Sequence, residues 1–103
     1  MEAIIEGKKY DTETATEVAS YWNGLGQGDF GRVNESLYKT AKGSWFIAGS
    51  GGPMSSYAQS VGNSQTGGEG IRPLSYEEAM NWLEKHNETG PLEEHFAEHI
   101  EDA

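Results

Sequence analysis

Apolar and polar positions alternate most clearly between Leu37 and Ala48, where two short runs rich in aromatic and β-branched residues flank Ala41-Lys42-Gly43. That arrangement predicts a hairpin, with glycine available for the positive φ of a short loop. In its second strand Trp45 and Ile47 point to one face and Phe46 and Ala48 to the other, so this strand is expected to be central and covered on both sides. A second hairpin is expected at the start, where Ala3-Ile4-Ile5 and Lys8-Lys9-Tyr10 surround Glu6-Gly7. Ile71-Arg72-Pro73-Leu74 is short and marked by proline, which predicts an edge strand.

Helical spacing accounts for much of the rest. Asp11 is placed to cap a helix from Thr12 to about Trp22, with Ala15, Val18 or Ala19, and Trp22 sharing a face. A short helix after Pro53 would carry Met54, Tyr57, Ala58 and Val61 on its apolar side, and residues 62–70 read as a flexible polar loop. Ser75-Tyr76-Glu77-Glu78 is a capping box, and the helix it opens runs to about His86 with Ala79, Met80 and Leu83 on one stripe. Pro91 opens a last helix with a narrow stripe of Leu92, Phe96 and Ile100, expected to fray unless it docks. These elements define an α+β domain spanning residues 1–103: a small antiparallel sheet of two hairpins and an edge strand, packed with three to four short helices. Residues 1–86 form its core and 87–103 an acidic C-terminal helix.

Composition narrows the chemistry. With no cysteine there is no disulfide, thiolate metal site or cysteine nucleophile. The opening residues lack the pattern of a signal peptide, and no apolar run is long enough for a membrane span, so a cytoplasmic protein is expected. A formal charge of −10 opposes direct binding to nucleic-acid phosphates. Nine acids and one base lie between Tyr76 and Ala103, giving that segment −8. Its residues Glu84, Glu88, Glu93, Glu94, Glu98, Glu101 and Asp102 are the candidates for contact with a basic partner. Glu94, Glu98 and Glu101 would follow one another a turn apart on the last helix, the spacing of a row of phosphates.

Enzyme signatures are weak. Gly26-Gln27-Gly28-Asp29-Phe30-Gly31 matches the dinucleotide fingerprint in letters, but it is expected to follow a helix and to precede strand-like residues, where a strand before and a helix after are required. Gly49-Ser50-Gly51-Gly52 before Pro53 is a candidate anion nest without the Lys-Ser/Thr pair of a phosphate loop. No Gly-x-Ser-x-Gly elbow is present. His95 and His99 are spaced to share a metal ion on a helix, with no third ligand fixed nearby. No catalytic residue and no cofactor is assigned. Three tryptophans and five tyrosines go mostly to the core, with Tyr21 or Tyr38 as candidate surface anchors.

Four blocks carry a resemblance. Ile5-Glu6-Gly7-Lys8-Lys9-Tyr10-Asp11-Thr12-Glu13-Thr14-Ala15, Leu37-Tyr38-Lys39-Thr40 with Gly43-Ser44-Trp45-Phe46, Gly51-Gly52-Pro53-Met54-Ser55-Ser56-Tyr57-Ala58, and Pro73-Leu74-Ser75-Tyr76-Glu77-Glu78-Ala79 resemble a group of small proteins from bacterial phages and mobile elements. The likeness covers residues 4–86; such proteins differ in the acidic tail after His86. Some members look like type II-A anti-CRISPR inhibitors directed at Cas9. The resemblance thus implies a non-enzymatic inhibitor in a bacterial host cell, with Cas9 or its guide-RNA complex as partner. No site residue carries over from it. The alternatives are a small regulatory or structural protein of a mobile element, and a metal-dependent enzyme using His95 and His99.

Overall fold

A computed structural model describes residues 1–26, 28–62 and 64–103. The chain begins with the hairpin β1 (Glu2–Ile5) and β2 (Lys8–Asp11), whose two-residue turn has positive φ at both Glu6 (51°) and Gly7 (78°). Positive φ at both central positions is the turn whose twist matches antiparallel strands. Four strands then form one antiparallel sheet in the order β3-β4-β5-β8: β3 (Thr16–Trp22), β4 (Val33–Lys39), β5 (Trp45–Gly51) and β8 (Gly68–Leu74). A small hairpin of β6 (Gln59–Val61) and β7 (Ser64–Thr66) lies between β5 and β8 in sequence. The helices α1 (Tyr76–Lys85) and α2 (Thr89–His95) follow, then a 3-10 turn at Ala97–His99. Among the described residues no helix is long and apolar enough to cross a membrane.

The central hairpin forms where the pattern placed it. Gly43 takes φ 88° and donates to the Thr40 carbonyl at 2.9 Å, while Thr40 donates to Ser44 at 2.8 Å, closing the loop. Strand β5 is buried on both faces. Trp45 and Ile47 join Leu37, Ala79, Trp82, Leu83 and Phe96 in the core beneath the helices. On the opposite face Phe46 meets Tyr10 edge-on at 5.5 Å and stacks on Tyr38 at 5.1 Å, so the first hairpin covers that side. The result is α+β as expected, but the first hairpin forms a separate two-stranded sheet on the face opposite the helices rather than joining the main sheet, where β3 takes a place instead. β8 is an edge strand with Pro73 within it, as expected.

Two expected helices are absent. Residues 12–22 contain a turn and strand β3. Asp11 Oδ1 accepts from the Glu13 amide at 2.9 Å and the Asp11 carbonyl from Ala15 at 3.0 Å, but the chain then extends. The register of β3 on β4 shifts between Glu17 and Ala19, and both Val18 and Ala19 pack on the core. Trp22, assigned to the apolar helix face, is 58% exposed. The stretch after Pro53 is a series of turns leading into β6, not a helix. Here the Ser55 hydroxyl donates to the Gly52 carbonyl at 2.7 Å and accepts from the Tyr57 amide at 3.2 Å, offering the backbone a local alternative to helix. Residues 62–70, expected as a loop, include β7 and the start of β8; Asn63 lies outside the described residues.

The capping box at Ser75 is present, with Glu78 donating to Ser75 Oγ at 3.1 Å and Ser75 to Glu78 Oε1 at 2.9 Å. Those bonds hold the Glu78 carboxyl below its ordinary pKa. The last helix is shorter than expected. It ends at His95, where Phe96 leaves helical geometry (φ −130°, ψ 24°) to bury its ring completely between Trp45 (5.2 Å) and Tyr76 (4.6 Å). Two α-helices and one 3-10 turn therefore replace the three to four helices expected, and residues 87–103 are not one helix.

Candidate functional site

Residues 87–103 of the acidic segment are held to the domain by Phe96, with Leu92 packed against the same core. Phe96 is their buried residue, and the ring of His95 meets Trp45 edge-on at 5.5 Å. Lys39 Nζ lies 5.4 Å from the Trp45 ring centroid, which adds a cation–π contact to the same corner. Among the seven candidate contact residues, Glu84, Glu93, Glu94, Glu98, Glu101 and Asp102 are exposed and Glu88 is half-buried. Glu84 stands on α1, Glu88 precedes α2, and Glu93 and Glu94 lie on α2. Glu98 is in the 3-10 turn, and Glu101 and Asp102 lie beyond it. Glu94, Glu98 and Glu101 thus do not share a helix, and the phosphate-like row expected from their spacing is broken at Phe96. Among the described residues none of the seven pairs with a lysine or arginine; Glu94 approaches His95 at 3.9 Å. Their charge is left without a lysine or arginine counterion among the described residues.

His95 and His99 are divided by the same break. His95 packs on Trp45, whereas His99 meets the Tyr76 ring at 5.6 Å. Among the described residues, no group of three or more His, Asp or Glu side chains is placed to hold a metal ion. The glycine-rich letters at 26–31 follow strand β3 rather than a helix, and lead into β4; Gln27 lies outside the described residues. A pyrophosphate there would meet no helix N-terminus. Gly49 and Gly51 belong to strand β5 and form no nest. A methyl group on Gly49 would collide with the Tyr57 hydroxyl, and one on Gly51 with Ser55, so these glycines admit the turn after Pro53 against the sheet.

A constellation not anticipated from the sequence sits beside those glycines. Glu35 occupies an inward position of β4, two residues before the fully buried Leu37. Its Oε1 accepts from Trp82 Nε1 at 3.2 Å, and its Oε2 accepts a short hydrogen bond from the Tyr57 hydroxyl. Burial, then the hydrogen bond to Glu35 and its charge, drive the Tyr57 pKa far above its ordinary 10, while Arg72 acts in the opposite direction. The Tyr57 hydroxyl is thereby held in the protonated form that donates to Glu35. Next to it His86 is stacked on Tyr21 (3.8 Å, 23°) and meets Trp82 edge-on at 4.5 Å. Its Nε2 is shielded from solvent and has no hydrogen-bond partner among the described residues. The signal that could have found this node is Glu35 itself, a charged residue at an inward position of a core strand. Tyr21 and Tyr38, the candidate surface anchors, both stack on other rings.

Desolvation holds the His86 pKa below 6.5, with Lys85 adding to the shift and Glu35 and Glu88 opposing it. A histidine whose folded pKa is depressed stabilises the fold above its unfolded pKa, and that contribution is lost as pH falls through the folded value. Thermal unfolding is therefore expected at lower temperature as pH drops below 6.5. His86→Phe should flatten that part of the profile. A slope unchanged by the substitution would contradict the assignment.

No protein-family model matches the chain, and neither a curated protein nor a solved structure matches it.

Proposed function

We propose that this protein is a non-catalytic inhibitor of a type II-A CRISPR effector, acting in the cytoplasm of a bacterial host by binding Cas9 or its guide-RNA complex. The observation that carries the reading is the stretch from Glu84 to Asp102: seven carboxylates, six of them exposed, none paired with lysine or arginine among the described residues. Phe96 tethers that segment to a rigid sheet, so its charges are presented from a fixed base. A Cas9-type effector keeps nucleic acid in strongly positive channels and reads its PAM through arginines. An anionic surface of this kind is steered towards such a channel and competes there with DNA. Because the acids are not aligned on one helix, the attraction is one of summed field rather than mimicry of phosphate spacing. The four-block resemblance supports the partner's identity.

Immobilised protein is expected to capture Cas9, and to capture the Cas9–guide RNA complex at least as well. Failure to capture either would overturn the reading. A second reading, a regulatory or structural protein of a mobile element, draws on a different surface. Trp22 (58% exposed), Phe30 (63%) and Met54 (77%) gather apolar area near the β3–β4 loop, where Met54 donates to the Phe30 carbonyl at 2.7 Å. Capture of Cas9 abolished by Glu-to-Gln changes in the tail, and not by Trp22→Ser, separates the two.

A further inference from the structure

The chain carries 7 basic residues against 17 acidic ones, yet four of the seven gather at one end of the fold. Lys8 and Lys9 begin β2, Lys39 ends β4, and Lys42 lies in the loop that joins β4 to β5. A cleft of about 470 Å³ opens between the first hairpin and that loop. Three of the lysines, Lys8, Lys9 and Lys42, line it together with Asp11, Thr40 and Ser44. Lys9 is engaged by Glu2 at 3.1 Å and Asp11 at 3.9 Å. Lys8 and Lys42 are exposed and make no ion pair among the described residues.

We infer that this cleft is a binding site for a small phosphate-bearing ligand. Counting Lys8, Lys9 and Lys42 against Asp11 and the Glu2 that engages Lys9, the cleft keeps a formal charge of +1, carried by the free ammonium groups of Lys8 and Lys42, within a molecule of −10. Screening shortens the reach of the distant acidic tail to roughly 8 Å at physiological salt, so the nearby ammonium groups govern the potential inside the cleft. A phosphate ester carries about −1.5 to −2 at neutral pH, enough to engage both free ammonium groups at once. Lysine binds phosphate as a point charge, and the hydroxyls of Thr40 and Ser44 add neutral donors to the same wall. The volume lies in the range of small-ligand sites and exceeds what inorganic phosphate alone needs, leaving room for a compact organic portion. An extended nucleic acid would carry its remaining phosphates out of the cleft across an otherwise acidic molecule, so the small ligand is favoured.

The test is titration of the full chain with inorganic pyrophosphate, followed by backbone amide shifts, beside a short single-stranded oligonucleotide under the same conditions. Saturable shifts confined to residues 7–15 and 40–44 are expected with pyrophosphate. The exposed double substitution Lys8→Ala/Lys42→Ala should weaken binding by roughly tenfold to a hundredfold, the loss expected for removed charge-assisted hydrogen bonds. Lys85→Ala, on α1, should leave it unchanged. Three results would overturn the assignment: no saturable shift up to about 10 mM, beyond the range of a specific weak site; equal weakening by Lys85→Ala; or tighter binding of the oligonucleotide than of pyrophosphate. Cas9 capture is scored separately, so failure here leaves the tail-based reading untouched.

Discussion

Replacing Trp45 by alanine should destabilise the protein by about 3–5 kcal/mol, the cost of removing a large aromatic ring from a packed core. Trp45 is only 3% exposed, and it touches the sheet core, His95 and Phe96 at once. A domain of this size holds about 5–15 kcal/mol in total, so the variant should be marginal at room temperature. The loss should also be uneven. Amide protection in residues 89–99 should collapse first, because Phe96 would lose the ring that seats it. Chemical denaturation with hydrogen exchange checks both points. A cost below about 1 kcal/mol, or uniform loss of protection, would show that the tail is held in another way.

Glu35→Ala should cost about 2–4 kcal/mol, since it strands two donors at once, Trp82 Nε1 and the Tyr57 hydroxyl. The three side chains are far apart in sequence and join β4, the turn after Pro53 and α1. Removing their shared acceptor should loosen all three. A double-mutant cycle gives the sharper reading. Once Tyr57→Phe has removed one donor, the further cost of Glu35→Ala should shrink. Strict additivity would mean that the carboxylate and the hydroxyl are not coupled. Glu35→Gln keeps an acceptor for Trp82 and should be milder than alanine.

The elements readable from sequence are those whose signals are local. The turn at Glu6-Gly7, the loop closed by Gly43 and the box at Ser75 each depend on residues within four positions of one another. The burial of β5 on both faces was legible in Trp45-Phe46-Ile47 for the same reason. Strand β3 was misread because its bulge turns Val18 and Ala19 to the core together. That breaks the period of two and leaves Ala15, Val18 or Ala19, and Trp22 at helical intervals. The last helix was drawn too long because Leu92, Phe96 and Ile100 fit a helical stripe. Only the packing of its ring between Trp45 and Tyr76 shows why the backbone breaks at Phe96. The partners of Glu35 could not be read from the sequence, because its bonds span 22 and 47 residues. The acidity of the tail could be counted from sequence, but its lack of lysine or arginine partners among the described residues could not.

DNA loading by guide-RNA-bound Cas9, measured with and without this protein between roughly 50 and 500 mM salt, tests the central claim most directly, because screening over that range removes long-range attraction. The account predicts strong inhibition at low salt that fades as salt rises, and its near-complete loss when Glu93, Glu94, Glu98, Glu101 and Asp102 are changed to their amides. Inhibition that is indifferent to salt and survives those five changes would contradict it.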